Sequence, residues 1–96
     1  MAGEVDVGEI SLDGKTLICR SPNGEVSWSN GTPSLLDWRR LTKRRVDGDV
    51  AAGIFRYVER RVAGFIVAVF TPYRGLDFNL TYAVDTGELI RIDEAR

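Results

Sequence analysis

The chain has no histidine and a single cysteine among its 96 residues. Histidine is the usual general base near neutral pH and the commonest metal ligand. Without it, Ser-His-Asp and Cys-His nucleophile arrangements and the familiar zinc sites are excluded. Cys19 alone cannot close an internal disulfide, and a small secreted domain usually leans on several. Long apolar runs are missing too. The longest, Val62 to Phe70, is nine residues, about half of the roughly 20 that span a bilayer. The start, Met1-Ala2-Gly3-Glu4-Val5-Asp6, is acidic where a secretory leader is basic and then apolar. These features predict a cytoplasmic protein with no membrane segment.

Other chemistry is missing as well. No glycine-rich loop matches a phosphate-binding pattern, because Gly3 and Gly8 lie too far apart and no Gly-Lys-Ser/Thr run occurs. Metal-free carboxylate catalysis needs two acids converging in a cleft. Asp47 and Asp49 flank Gly48, where turn former and helix cap are their ordinary roles, and Asp93 and Glu94 lie near the terminus. The expectation is no catalysis, no cofactor and no metal.

What is present is ordinary globular composition, 44% apolar and 28% charged, in a length that fits one domain, 1–96, with one core. Charge is distributed unevenly. Arg39-Arg40-Leu41-Thr42-Lys43-Arg44-Arg45 holds five of the 13 basic side chains. From Trp38 to Arg74 nine Lys/Arg face three Asp/Glu, a local net of +6, whereas the rest of the chain carries −7. A dipole of that size implies one surface that prefers an anionic partner.

Turn dipeptides Asp13-Gly14, Asn23-Gly24, Asn30-Gly31, Asp47-Gly48, Arg74-Gly75 and Thr86-Gly87 divide the chain. Val5 and Val7 alternate on one parity and Ile10 and Leu12 on the other, which predicts a strand with a bulge at Gly8. Lys15 to Arg20 and Glu25 to Ser29 are the next strands, with Leu17, Cys19, Val26 and Trp28 inward. Thr32 as N-cap and Pro33 in the first turn open a helix that ends at Val46-Asp47-Gly48. Leu35, Trp38, Leu41, Thr42 and Val46 share its apolar arc; Arg39, Arg40, Lys43 and Arg44 share the opposite one, with Leu36 among them.

Residues 50–63 allow two readings. As a helix, Val50, Ala51, Ile54, Phe55, Tyr57, Val58 and Val62 form one arc, with Arg56, Glu59 and Arg60 opposite as a second basic stripe. As a strand they alternate badly, and the helix is the reading adopted, although Gly53 and the β-branched content speak against it. Phe65 to Thr71 is apolar on both faces, as a central strand is, and Pro72 ends it. Asp77 to Val84 alternates and Leu89 to Ile92 returns. The fold class expected is α+β, an antiparallel sheet in βββ-αα-βββ order with one or two helices packed on one face. The hairpin Tyr82-Ala83-Val84-Asp85-Thr86-Gly87-Glu88-Leu89 resembles the closing hairpin of PepSY-type domains, small binding or inhibitory modules. The likeness spans eight residues of a generic turn and assigns no family.

The binding residues expected are Arg39, Arg40, Lys43 and Arg44, with Tyr73 and Arg74 as an aromatic-arginine pair on a loop. They suit a non-enzymatic protein-binding module of inhibitor, immunity or antitoxin type, engaging an acidic surface on a protein partner. The alternative is a nucleic-acid binder using the same helix on phosphates. Against it stand the overall charge of −1, the pI near 5.4 and the lack of a groove-reading or base-stacking motif.

Overall fold

The computed structural model describes residues 6–42, 50–73 and 76–95. They form two antiparallel sheets and one α-helix, so the fold is mostly β. The first sheet is the expected meander, β1 (Val7–Ile10), β2 (Leu17–Arg20) and β3 (Val26–Asn30), in that order. Helix α1 (Leu35–Thr42) follows, and a short 3₁₀ turn covers Val50–Ala52. The second sheet holds β4 (Ile54–Val62), β5 (Phe65–Tyr73), β6 (Leu76–Ala83) and β7 (Leu89–Glu94), again in chain order. The strands thus divide between two sheets, and the second expected helix is replaced by a strand.

The expectation of a helix over 50–63 fails for a physical reason. Strand β5 is apolar on both faces and needs a neighbour on each side; β6 supplies one and β4 the other. Two bulges interrupt β4, between Phe55 and Tyr57 and between Val58 and Arg60. Each inserts one extra residue, so inward positions recur every third residue, at Phe55, Val58 and Arg61, with Arg56, Tyr57, Glu59 and Arg60 exposed. A period of three sits nearer to the helical 3.6 than to the strand's two, so a doubly bulged strand imitates a helix in its sequence pattern. The deciding residue is Gly53. A Cβ there meets Phe70 Cζ, the Pro72 Cα and the Thr71 carbonyl oxygen, all at 2.7 Å, so the chain presses flat against the end of β5.

Smaller departures follow the same logic. The β1–β2 register runs without a break from Val7↔Arg20 to Ile10↔Leu17, so no bulge falls at Gly8; the irregularity is between Cys19 and Arg20 in the β2–β3 pairing. Val26 is consequently exposed and Trp28 and Asn30 turn inward on β3, while Leu12 stands fully in solvent in the turn. Pro72 does not end β5: it is accommodated at the register shift between Phe70 and Tyr73. The end of the helix at 46–48 lies outside the described residues.

One face of the second sheet is covered. Trp38 of α1 is fully buried against Phe70 and Phe78, with ring centroids 5.9 and 5.0 Å away. Phe55, Leu80, Tyr82 and Ile92 complete this cluster. Burying an aromatic ring of this kind contributes ~2–3 kcal/mol, which makes Trp38 the main anchor of an eight-residue helix too short to persist alone. Beside it, the first sheet packs Cys19 and Trp28 against Ile66, Val84 and Val58. As the alternation on β2 predicts, Cys19 is buried and free.

Candidate functional site

The expected binding face begins at the cap of α1. The Asp37 amide N–H donates to Ser34 Oγ at 3.1 Å, so Ser34 is the N-cap, two residues later than Thr32. From that start, Trp38 points inward and Leu41 is half-buried, while Leu36, Arg39 and Arg40 are exposed. The carboxylate of Asp37 lies in the positive first turn and the two arginines in the last, an arrangement the helix dipole favours.

The two arginines differ. Arg40 Nη2 donates to Asp37 Oδ1 at 3.2 Å, an exposed i,i+3 pair that contributes ~0.3–0.5 kcal/mol. Arg39 is exposed and has no ion-pair partner among the described residues. Lys43, Arg44 and Arg74 lie outside the described residues. Tyr73 closes β5 in register with Leu76, and its side chain is likewise outside the description. The packing of Trp38 on Phe70 and Phe78 does place α1 over the strand ends that lead to Tyr73 and from Leu76. Arg56 and Arg60 form no second helical stripe; they are exposed on the edge strand β4, and Arg60 shares a face with Val67 on the side of the sheet away from α1.

The structure adds a depression the sequence did not disclose. About 340 Å³ opens beside the start of α1, with Asn30, Ser34, Asp37, Arg40, Tyr82 and Glu88 among its walls. The Tyr82 ring is buried and stacked on Trp28 at 5.9 Å. Burial pushes its hydroxyl well above the ordinary tyrosine range, and the Asp37 carboxylate adds to the rise. Asp37 and Glu88 set two negative charges beside Arg40, so the N-terminal end of the helix is mixed in sign and the basic surplus belongs to its C-terminal end. Three separate segments build this hollow, and no local motif announces such a convergence.

Among the described residues no group of three or more His, Cys, Asp or Glu side chains is placed to hold a metal ion. No described helix is long and apolar enough to cross a membrane. Comparison of the chain with family models, with curated proteins and with solved structures returns no match.

Proposed function

We propose that the chain is a small, non-enzymatic, cytoplasmic protein-binding module of inhibitor, immunity or antitoxin type. Its basic helix engages an acidic patch on a partner protein. The observation that supports this most directly is Arg39, exposed and without an ion-pair partner among the described residues, on a helix whose opposite side is fixed by the buried Trp38. Lys43 and Arg44 extend the same run in sequence, so the surplus positive charge is concentrated in a protein that is otherwise acidic. Such a patch raises the rate of encounter with an anionic surface more than it deepens final affinity. Leu36, 77% exposed within the charged face, supplies apolar anchorage, with Tyr73 and Arg74 as further contacts. A nucleic-acid partner is the second reading, favoured by the five basic residues between Arg39 and Arg45 and opposed by the acidic balance.

The test is capture of the native partner by the parent and by the variant Arg39→Glu/Lys43→Glu, followed by association kinetics at several salt concentrations. The variant is expected to associate at least about tenfold more slowly. Duplex binding through these side chains makes log K fall with log salt by about 0.9 per phosphate contact, nearly regardless of sequence. A protein partner shows a milder dependence and survives nuclease. Equal capture by parent and variant defeats both readings.

A further inference from the structure

The hollow beside the start of α1 contains a polar group that the fold leaves unused. Tyr82 keeps only 2% of its surface, with the Trp28 ring 5.9 Å and the Phe55 ring 6.5 Å from its own, and it forms part of the hollow's wall. Its hydroxyl makes no hydrogen bond to any described residue, yet it is not among the polar atoms sealed from solvent. Buried tyrosine hydroxyls usually find a partner. Tyr82 instead presents a donor and an acceptor to an open depression of about 340 Å³.

Two carboxylates reach the same space from separate segments. Glu88 is engaged through its main chain alone, its N–H donating to Thr86 Oγ1 and its carbonyl accepting from Ala83 N–H. Its carboxylate has no ion pair or hydrogen bond among the described residues. Asp37 accepts from Arg40 with Oδ1 and leaves Oδ2 without a donor among the described residues. The two carboxylates against the one guanidinium of Arg40 leave a net charge of −1 in the wall. The helix N-terminus attracts anions, but that demand is already met. Ser34 Oγ accepts the Asp37 N–H, and the Asp37 carboxylate itself lies in the first turn. What the hollow lacks is a cation with hydrogen-bond donors.

We propose that this hollow binds a primary ammonium group. Such a head group carries one positive charge and three N–H donors. Glu88 and Asp37 Oδ2 take two of them as charge-assisted hydrogen bonds, and the Tyr82 oxygen takes the third. The Asp37 charge already reaches the Tyr82 hydroxyl, so the phenolic proton turns to this carboxylate while its oxygen accepts from the ligand. The positive charge cancels the surplus negative one. Pro33 and Leu89, both buried, also line the hollow and suit a short alkyl stem behind the head group. The same chemistry comes from a free small amine or from a lysine side chain of another protein. The site is independent of the basic C-terminal end of α1, which selects the opposite sign.

The test is ¹H–¹⁵N NMR of the full chain at low salt, titrated with n-butylammonium. The signals read are the amides of Gly31, Gly87 and Glu88 and the indole of Trp28, which stacks on Tyr82. Saturable shifts are expected there, with a dissociation constant on the order of 1 mM, as suits a small ligand in an open site. 1-Butanol and butyrate carry the same stem without the positive charge and should leave these signals in place. Glu88→Gln removes a charge that makes no folding contact among the described residues and should weaken binding roughly tenfold. Tyr82→Phe removes only the hydroxyl and should weaken it about threefold or more. Retention of the Trp28 indole signal reports intact packing in both variants. Equal binding of Nα-acetyl-lysine methylamide assigns the site to a lysine side chain; binding of the free amine alone assigns it to small amines, and either result upholds the ammonium site. No saturable shift, an equal response to butyrate or 1-butanol, or an affinity unchanged in both Glu88→Gln and Tyr82→Phe overturns the proposal.

Discussion

The indole N–H of Trp28 donates to the main-chain carbonyl of Val84 at 2.6 Å, across 56 residues of sequence. This bond ties the first sheet to the β6–β7 connection, and the Asn30 side-chain amide donates to the Gly87 carbonyl beside it. Trp38, the other tryptophan, is fully buried, yet its indole N–H has no acceptor among the described residues.

The two tryptophans should therefore respond differently to phenylalanine. Trp28→Phe keeps an aromatic ring on Tyr82 but orphans the Val84 carbonyl, a loss of ~1–3 kcal/mol. Trp38→Phe leaves a small cavity but removes an unpaired buried donor, and the two effects oppose. Denaturant unfolding is expected to show the larger loss at Trp28, although Trp38 is the more buried. The reverse order defeats the account.

Gly87 is the tightest point of the same junction. Its φ is +78°, and a Cβ there falls 2.7 Å from the Trp28 ring. Gly87→Ala thus meets backbone strain of about 1–2 kcal/mol and a steric clash as well. Combined with Trp28→Ala, the clash disappears and the strain remains. The double variant should be less destabilised than the sum of the singles by at least ~0.5 kcal/mol in a double-mutant cycle.

These junctions also mark where the sequence stops being informative. Alternation located β2 and β6, where buried positions recur every two residues, and β5 was legible as a run apolar on both faces. It failed at β4, where bulges at Arg56 and Glu59 stretch the inward period to three. The division into two sheets was not legible either, because it rests on contacts such as Trp28 to Val84 and Phe55 N–H to the Gly14 carbonyl, 2.7 Å. The candidate site was legible as charge, since Arg39 and Arg40 fall opposite Trp38 at helical spacing. Its mixed-sign end was not, because Glu88 reaches Asp37 only through the fold.

Alkaline pH should expose the buried tyrosine. Burial raises the Tyr82 hydroxyl above its ordinary value of 10.0, with Asp37 adding to the rise. The folded chain thus holds this proton more tightly than the unfolded chain does. The resulting stability is complete below pH 10.0 and is lost as pH climbs above it, by up to ~1.4 kcal/mol per pH unit for this one group. The Cys19 thiol is raised as well, by burial first and by the Asp6 charge second, and contributes in the same direction from about its ordinary 9.0 upward. Tyr82→Phe should flatten the alkaline limb of a stability–pH curve above pH 10.0 and leave the Cys19 portion in place. An unchanged limb defeats the assignment.

The basic face and its anchor should separate stability from binding. Arg39 touches no ion-pair partner among the described residues, so Arg39→Glu is expected to shift unfolding by no more than ~0.5 kcal/mol. Arg40→Ala removes only the exposed pair with Asp37, again about 0.5 kcal/mol or less. Trp38→Ala empties the space against Phe70 and Phe78 and should cost ~3–5 kcal/mol. If the helix is the binding element, Arg39→Glu loses partner capture with its fold intact, while Trp38→Ala loses both together. Leu36→Ala then reports on the contact itself: at 77% exposure it adds almost nothing to folding, so any loss of capture comes from the interface. Capture that survives Arg39→Glu and Leu36→Ala but not Trp38→Ala assigns the helix a purely structural role and moves the search to the β5–β6 connection.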